Sequence, residues 1–510
     1  MGIEREIKFE VSTRDLRKLA AARILRRTGG ELPRHKYLVS TYFDTPKLLL
    51  RRNGVSLRVR QAGKKRVQTI KTVNGGIALS RGEWEHRLQG DQPDLRAARS
   101  TALGPLVSKK LKRDLEPIFA THMHRTFLPL RSGSSRIELA LDEGHVRAGQ
   151  KSSPLTEVEL ELKSGTASDL FKTARLIAGL VPAKLALKSK SEQGYDLIAV
   201  RPSRASCGSK IVLGPGTRVA AAFQAIGRSI LQHIAANEPA VMAADPDGVH
   251  QMRVGVRRLR AAIAVFSELL RCEQTEQIKR DLKWLAGKLG PVRDLDVFLK
   301  GKIEMFERSD PPTAGLPELK SELIYRRDIA AGSAKAAIAT ARYRLLILNI
   351  LEWIEDGKWL KQSRAHGNRK IRPFAADLFE RRTRKVRRKA KRAGEVDAHA
   401  RHRLRIAIKK LRYALYFFET LYSGDGSAKA LSRYKKHLED LQDHLGALND
   451  IAVHQKLAIR LAADGGGAKP ELVSFAAGMI AGCERGEIQP ILADVTKTAR
   501  KLRRAKSFWS

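Results

Sequence analysis

The sequence has few cysteines and no long apolar run, and each shortage argues against a class of protein. The three cysteines, Cys207, Cys272 and Cys483, lie far apart, so neither a disulfide framework nor a thiolate metal site is expected. No stretch approaches the ~20 apolar residues of a membrane helix, and the N-terminal segment lacks the apolar core of a secretion signal. We therefore expect a cytoplasmic protein with no membrane partner.

Acidic residues are also scarce relative to basic ones. The 510 residues carry 97 Lys and Arg against 54 Asp and Glu, which gives a formal net charge of +43. The net charge is +17 over residues 1–200 and +26 over residues 201–510. A surplus of this size predicts a polyanionic partner, and charge alone leaves nucleic acid, anionic membrane and polyphosphate as equal candidates.

The apolar periodicity changes once along the chain. Up to residue 200 the period is mainly two, as at Val158, Leu160 and Leu162, which is typical of half-buried antiparallel strands. From about residue 217 the period becomes 3.6, which predicts helices only. Short helical segments are also expected in the first part, near residues 13–26, 94–110 and 168–179.

The helical part contains an internal repeat. The segment HQMRVGVRRLRAAIAVF from His250 matches HRLRIAIKKLRYALYFF from His402, and a second pair of similar segments begins at Leu282 and Leu438. We expect an α+β protein whose helical part consists of two pseudo-symmetric bundles. The predicted divisions are a β domain over 1–200, a linker over 201–216 and a helical domain over 217–505.

Charged residues alternate with apolar ones along the predicted strands. Glu4, Glu6 and Lys8 occupy one face of the first strand. If the charged faces of all strands point the same way, the sheet encloses a lumen where carboxylates hold Mg²⁺ and basic side chains bind phosphate oxygens. The alternative is that the charges mark a solvated sheet face. The other segments of this kind contain Glu157, Glu159 and Glu161, Arg58 and Arg60, Lys71, and Lys188 and Lys190.

Four motifs give the first part a family resemblance. The ExExK start at Glu4, TYFDTP at Thr41, SLRVRQ at Ser56 and ELELKSG at Glu159 resemble the CYTH family, the triphosphate tunnel metalloenzymes. The resemblance covers roughly residues 1–200. It implies an eight-stranded antiparallel β tunnel that hydrolyses or cyclises a triphosphate with Mg²⁺ or Mn²⁺.

The resemblance also implies roles for individual residues, although it assigns no single general base. Lys190 is expected to assist, and the inward or outward direction of Arg81, Glu83, Glu85, Glu138 and Glu157 is left open. The implied catalytic set is Glu4, Glu6, Lys8, Arg58, Arg60, Lys71, Arg125 and Lys188. The implied metal ligands are Glu4, Glu6, Asp142, Glu159 and Glu161.

Each repeat helix carries a basic face opposite an apolar stripe. The two faces consist of His250, Arg253, Arg257 and Arg260, and of His402, Arg405, Lys409 and Arg412. The simpler interpretation is a bundle with a basic exterior, but the repeated spacing favours phosphate binding. The pattern resembles the CHAD family over about residues 217–500, which implies two four-helix units that bind inorganic polyphosphate through these eight residues.

Three further features leave alternatives open. Asp294 and Asp450 either orient arginines or shape helix breaks after Gly290 and Gly446. The run RRTRKVRRKAKR, residues 381–392, is either a solvated helix or an extension of the basic surface that binds the anion. Aromatic residues make up only 6% and do not interleave with this run, so nucleic acid is not expected as the specific ligand.

The leading interpretation is a metal-dependent inorganic triphosphatase whose helical domain binds polyphosphate or docks the protein on polyphosphate granules. One alternative is another triphosphate in the same tunnel, either ATP, in an adenylate cyclase or ATPase reaction, or thiamine triphosphate. A second is a non-catalytic polyphosphate-binding protein, and a third is nucleic-acid binding through bulk charge. The sequence predicts no oligomeric state.

Overall fold

A computed structural model describes most of the chain, and for residues 2–4, 80, 81 and 199 it describes only the backbone. The described residues are 2–25, 32–72, 80–199, 205–309, 313–391, 398–424, 426–464 and 469–509. The chain forms two compact units: Met1–Arg204 with Ala339–Asp356, and Ala205–Ile338 with Gly357–Ser510. A segment from the second half of the chain therefore belongs to the first unit.

Strands occur only in the first unit within the described ranges, apart from an isolated bridge between Arg218 and Lys370. The strands are β1 Gly2–Glu10, β2 Arg34–Asp44, β3 Val55–Ala62, β4 Lys65–Thr72, β5 Ser80–Leu88, β6 Glu116–Ser132, β7 Ser135–Ala148, β8 Lys151–Ser164 and β9 Lys184–Leu185.

Helices occur in both units. They are α1 Thr13–Ala21, α2 Leu49–Arg52, α3 Lys109–Asp114, α4 Ala167–Leu180, α5 Lys190–Ala199, α6 Val219–Ala235, α7 Glu238–Met242, α8 Pro246–Val265, α9 Glu273–Phe298, α10 Glu304–Phe306, α11 Leu316–Ala339, α12 Ala341–Asp356, α13 Trp359–Gln362, α14 Arg364–Asn368, α15 Ile371–Ala390, α16 Ala398–Phe418, α17 Ser427–Asp464 and α18 Pro470–Arg504. Single 3-10 turns span Ala97–Ser100, Gly104–Leu106 and Glu419–Tyr422, and a π-helical turn spans Leu299–Ile303.

The strands form a closed antiparallel ring. Their order is β5-β4-β3-β2-β6-β7-β8-β1-β9, and β5 also pairs with β1. The additional pairing closes β1 to β8 into an eight-stranded tunnel, because the start of β1 pairs with β5 and its end pairs with β8. The predicted α+β class, with an antiparallel tunnel followed by helices, is confirmed.

The two faces of each strand have different environments. Leu57, Val59 and Ile70 point outward and are buried under the segment that joins β5 to β6. Arg58 and Lys71 alternate with these residues and therefore face the interior of the tunnel. Alternation in the sequence thus places apolar side chains outside and charged side chains inside.

The segment predicted to be helical near residues 94–110 is mostly irregular. It contains two short 3-10 turns, and α3 begins at its end. Pro105 has no backbone N–H to continue a helix. Gly104 lies so close to the carbonyl oxygen of Arg99 that a Cβ atom would overlap it. The predicted helices near 13–26 and 168–179 are present as α1 and α4.

The second unit is helical throughout its described ranges apart from turns, loops and the isolated bridge. Helices α8 and α16, which carry the repeat, contact each other. Their apolar stripes are fully buried, as expected from the 3.6-residue period. The stripes consist of Met252, Val256, Leu259, Ile263 and Phe266 in α8, and of Leu404, Ile408, Leu411, Leu415 and Phe418 in α16.

Helix breaks after Gly290 and Gly446 are absent. Helix α9 continues through Gly290 and Pro291 to Phe298, and α17 runs without interruption past Gly446. In the described part of the chain, none of the helices combines the length and hydrophobicity needed to span a bilayer.

Candidate functional site

The tunnel encloses a cavity of about 210 Å³ whose wall is mainly charged. Every strand from β1 to β8 except β2 contributes at least one charged side chain to the wall, and β2 contributes Tyr42. The basic residues are Lys8, Arg58, Arg60, Lys71, Arg125, Lys163 and Lys190. The acidic residues are Glu6, Glu83, Glu138, Glu159 and Glu161.

One wall of the cavity has more positive charge than its carboxylates neutralise. Arg58 lies 3.5 Å from the Tyr42 hydroxyl and 4.0 Å from Glu83, and its Nε is buried without a hydrogen-bond partner among the described residues. Arg60 contacts only the Ser40 hydroxyl, at 3.4 Å, in the described hydrogen bonds. Burial together with the charges of Arg58 and Arg125 lowers the pKa of Arg60 to about 10. An anion bound here would relieve this repulsion.

A second part of the wall is built around Arg125, on β6. Its guanidinium binds both carboxylate oxygens of Asp142, at 2.6 and 2.5 Å, and one oxygen of Glu159, at 2.5 Å. Burial alone would raise the pKa of Glu159, but Arg125, Lys190 and Lys8 hold it well below its usual range. The arginine is therefore fixed by two ionised carboxylates.

Next to Arg125 lies a buried acidic cluster of Asp142, Glu157 and Glu159, whose oxygens approach closely enough to hold a metal ion. The Lys190 ammonium lies 2.9 Å from Asp142, 2.5 Å from Glu157 and 2.7 Å from Glu159. Gln193 donates a further hydrogen bond to Glu157, at 2.7 Å. The ammonium therefore lies between the three carboxylates, where a metal ion would otherwise bind.

A second row of carboxylates faces the cavity itself. Glu6 pairs with Glu161 across β1 and β8, and Glu161 pairs with Glu138 across β8 and β7. Lys163 lies at one end of the row, 2.6 Å from Glu161 and 3.4 Å from Glu138. Such a set of oxygen ligands suits a hard cation such as Mg²⁺.

The tunnel brings together most residues of the predicted catalytic set. Asp142 lies in the buried cluster rather than in the cavity wall. Lys188 is not among the lining residues, because its ammonium points to Asp196, at 2.8 Å, and is 59% exposed. The side chain of Glu4 lies outside the described residues. The predicted residues in the wall are Glu6, Lys8, Arg58, Arg60, Lys71, Arg125, Glu159 and Glu161.

The structure also resolves the directions that the sequence left open. Glu83 and Glu138 line the cavity, Glu157 belongs to the buried cluster, and Glu85 is not a lining residue. The side chain of Arg81 lies outside the described residues.

Sequence reasoning did not propose Tyr42, Lys163 or Gln193. Lys163 continues the Glu159-Glu161 alternation and was therefore detectable from the strand period. Tyr42 carried no comparable signal, because β2 contributes no charged side chain to the cavity. Gln193 reaches Glu157 from α5, a contact that only the tertiary fold defines.

In the second unit the two basic repeat faces lie close together. Burial and the charges of Arg405 and Arg257 lower the pKa of Lys409 to about 8, so α8 and α16 share one positive field. The Nε atom of Arg405 is buried and has no hydrogen-bond partner in the described ranges. These two adjacent basic faces, called the groove below, therefore carry positive charge that an anion would compensate.

Other predicted residues of the groove have distinct environments. Arg260, His402 and Arg412 are exposed. Arg253 is held by Asp294, at 3.2 Å, and by the Gly290 carbonyl oxygen, at 3.0 Å.

His250 has a different electrostatic character from its basic neighbours. Burial and the charges of Arg293 and Arg257 lower the pKa of His250 to about 4. The histidine is therefore neutral at pH 7.

Comparison with known proteins agrees with this geometry. The CYTH domain model matches residues 2–195, and the CHAD domain model matches residues 225–458. The inorganic triphosphatase of Haemophilus influenzae is 33% identical over 164 residues, which are 32% of this chain and only 46% of that protein.

Two further relatives extend into the helical unit. The uncharacterized protein MT2285 of Mycobacterium tuberculosis is 25% identical over 404 residues, 74% of this chain and 75% of that protein. The crystal structure of the CHAD domain from the plant Ricinus communis is 31% identical, with a TM-score of 0.51, and the match covers 60% of this chain and 99% of that domain. The chain thus belongs to the proteins in which a CYTH domain is followed by a CHAD domain.

Proposed function

We propose that the tunnel hydrolyses inorganic triphosphate with Mg²⁺ or Mn²⁺ and that the helical domain binds inorganic polyphosphate. The observation that carries the proposal is one cavity of about 210 Å³ with an undercompensated basic wall and a row of carboxylates. A polyanion explains the basic wall, and a divalent cation explains the carboxylates.

The candidate metal ligands are Glu6, Glu138, Glu159 and Glu161, with Glu4 as a further candidate. Asp142 and Glu157 of the buried cluster have a different role, because Lys190 binds both carboxylates and Asp142 also holds Arg125 in place. When bound, the metal ion neutralises phosphate oxygens and favours attack by water.

The side chains of the tunnel bind and orient the substrate. Arg58, Arg60 and Lys71 bind the oxygens of the triphosphate, and Arg125 adds a guanidinium from β6. Water attacks the terminal phosphoryl group in line with the leaving oxygen, and a tunnel carboxylate orients that water. Fixed charges in a narrow cavity stabilise the charge that spreads over the transferred group.

Inorganic triphosphate fits this cavity better than ATP or thiamine triphosphate. The lining has few apolar groups, with Tyr42 and Phe127 as its aromatic side chains in the described residues. An organic substituent would therefore find little surface on which to pack. The relative named inorganic triphosphatase supports the same choice.

A double substitution tests the tunnel assignment. Glu6→Gln plus Glu161→Gln should reduce metal-dependent phosphate release from tripolyphosphate at least about a hundredfold, a loss of about 2.7 kcal/mol of transition-state stabilisation. Glu116→Gln plus Glu143→Gln removes two carboxylates outside the cavity wall and should leave release unchanged. Retained turnover in the first variant would contradict the assignment.

Binding by the helical domain requires its own test. Polyphosphate should displace nucleic acid from the full chain at matched salt, because the basic side chains of the groove bind phosphate groups and do not require bases. Arg257→Glu plus Lys409→Glu should weaken polyphosphate binding, whereas Arg271→Glu plus Lys497→Glu, at exposed positions outside the repeat faces, should weaken it much less. Failure of polyphosphate to compete would reject this ligand. Binding of this kind would place the protein at cytoplasmic polyphosphate granules.

A further inference from the structure

The first unit has a second cavity, outside the tunnel. It has a volume of about 540 Å³ and is lined by residues of the segment 92–115, which joins β5 to β6. This segment covers the outward side chains of β3 and β4, including Leu57 and Ile70. Because Arg58 and Lys71 point the opposite way, into the tunnel, the two cavities are separated by the sheet.

The lining combines an apolar surface with a basic rim. Leu95, Val107 and Leu115 provide apolar surface and pack against the buried cluster beneath. Four exposed basic residues surround it, and none of them forms an ion pair within the described residues. These are Arg96, Arg99, Lys109 and Lys112.

The acidic residue of the lining, Asp94, offsets only part of the charge of this rim. Its Oδ1 accepts hydrogen bonds from the backbone N–H groups of Arg96, at 2.7 Å, and Ala97, at 3.1 Å. These bonds lower the pKa of Asp94 and fix the start of the first 3-10 turn. With four basic groups against one carboxylate, the rim keeps a net positive charge.

The cavity wall is held in place by buried contacts. The Gln68 side chain, which is 2% exposed, donates to the carbonyl oxygen of Asp94, at 3.1 Å, and accepts from its N–H, at 2.8 Å. Ser108 caps α3 by accepting from Leu111 N–H, at 3.1 Å. A wall fixed on both sides lowers the entropy cost of binding a small molecule.

We propose that this cavity binds an organic phosphate, a molecule with an apolar or aromatic body and one or two phosphate groups. An inorganic phosphate chain can bind the basic rim, but it has no apolar group to pack against Leu95, Val107 and Leu115. The volume lies within the roughly 300–1,000 Å³ of small-molecule sites. A nucleoside diphosphate has the required chemistry, with its base on the apolar surface and its phosphates on the rim.

Binding of N-methylanthraniloyl-ADP to the full chain tests this proposal. Arg99→Glu plus Lys112→Glu should weaken binding about tenfold, whereas Lys64→Glu plus Lys110→Glu, the same charge change at exposed positions outside the cavity, should weaken it less than about twofold. Equal affinity in the two variants overturns the proposal. If charge reversal impairs folding, the milder pair Arg99→Gln plus Lys112→Gln replaces it in the binding test. An unchanged thermal unfolding midpoint shows that this variant is folded.

Competition identifies the ligand class. ADP should displace the fluorescent nucleotide at a concentration about tenfold lower than inorganic pyrophosphate does, because only ADP uses the apolar surface. Equal potency of the two overturns the assignment to organic phosphates. Phosphate release from tripolyphosphate should be the same in both charge-reversal variants, so this test and the test of the tunnel fail independently.

Discussion

Arg60 and Arg125 face the same cavity but have opposite electrostatic environments. Two carboxylates neutralise Arg125, and burial with neighbouring arginines lowers the pKa of Arg60. The same residue type in the same tunnel thus serves two purposes. Arg125 stabilises the fold and also lines the site. Arg60 forms no ion pair within the described residues and can bind an anion.

Alanine substitutions should separate these purposes. Arg125→Ala removes a positive charge that neutralises the buried carboxylates of Asp142 and Glu159. The substitution should therefore lower the free energy of unfolding by about 3–5 kcal/mol. Arg60→Ala removes a repelled cation and should change that free energy little, although both variants should lose triphosphatase activity. Urea unfolding measures the difference, and equal stability of the two variants would contradict this account.

Lys409 should make polyphosphate binding depend on pH. Its pKa, lowered to about 8 by burial and by Arg405 and Arg257, means that it loses its charge as pH rises from 7 to 9. Polyphosphate affinity should fall about tenfold over this range, which corresponds to about 1.4 kcal/mol for one charged contact.

Arginine variants provide the control for this pH effect. Lys409→Arg keeps its charge and should largely remove the dependence, while Lys410→Arg, at the adjacent exposed position, should retain it. Titrations at constant ionic strength measure this, and an unchanged dependence in Lys409→Arg would assign it to another group.

At the residue scale, sequence alternation assigned Glu6, Arg58 and Glu161 to the charged faces of their strands, and the closed sheet turns these faces into the cavity. It could not distinguish Lys188 from Lys190, which lie just before and at the start of α5. It also could not show that Asp142 holds Arg125, because that pair depends on the register of β6 against β7.

Among the elements, the junction between β8 and α4 depends on one glycine. Gly165 has φ +110°, and a Cβ atom there would overlap the Ser135 hydroxyl. That hydroxyl accepts from Thr166 N–H, at 3.0 Å, and donates to Asp169, at 2.5 Å, at the start of α4. The junction therefore has no space for a side chain.

Gly165→Ala should destabilise the first unit by more than the ~1 kcal/mol of a strained backbone, because it adds an overlap to that strain. Gly63→Ala provides the control, since Gly63 has φ +59° and nothing within 4 Å of the added atom. Thermal unfolding should show a larger fall in midpoint for Gly165→Ala. Equal falls would mean that the junction adapts.

Helix α12 belongs to the first unit although it lies far along the sequence. It packs against α4, and Arg175 binds Glu352 with N–O distances of 2.5 and 3.2 Å. The proposed domain boundary near residue 200, drawn where the apolar period changes, leaves out this helix. Periodicity identifies a helix but not the surface on which it packs.

A fragment of residues 1–204 should therefore be less stable than the same fragment linked to residues 339–356. Loss of α12 exposes the apolar surface of α4, which favours aggregation. A lower unfolding midpoint and stronger binding of a hydrophobic dye would show this effect. Identical behaviour of the two fragments would mean that α12 adds no stability.

For the whole molecule, the net charge of +43 indicated a polyanionic ligand but not its location. The fold decides that, because many basic side chains are neutralised by carboxylates. Positive charge remains undercompensated at Arg60 in the tunnel and at Lys409 in the groove. The apolar period predicted strands in the first part and helices in the second, and the family resemblance implied the tunnel, whereas the pairing of individual charges required tertiary structure.

The central claim is metal-dependent hydrolysis of inorganic triphosphate by the tunnel, and phosphate release from tripolyphosphate by the full chain tests it most directly. The reaction should proceed with Mg²⁺, stop when EDTA is added and resume when Mg²⁺ is restored in excess. Absence of release under all three conditions, or release at an equal rate in EDTA, would contradict the account.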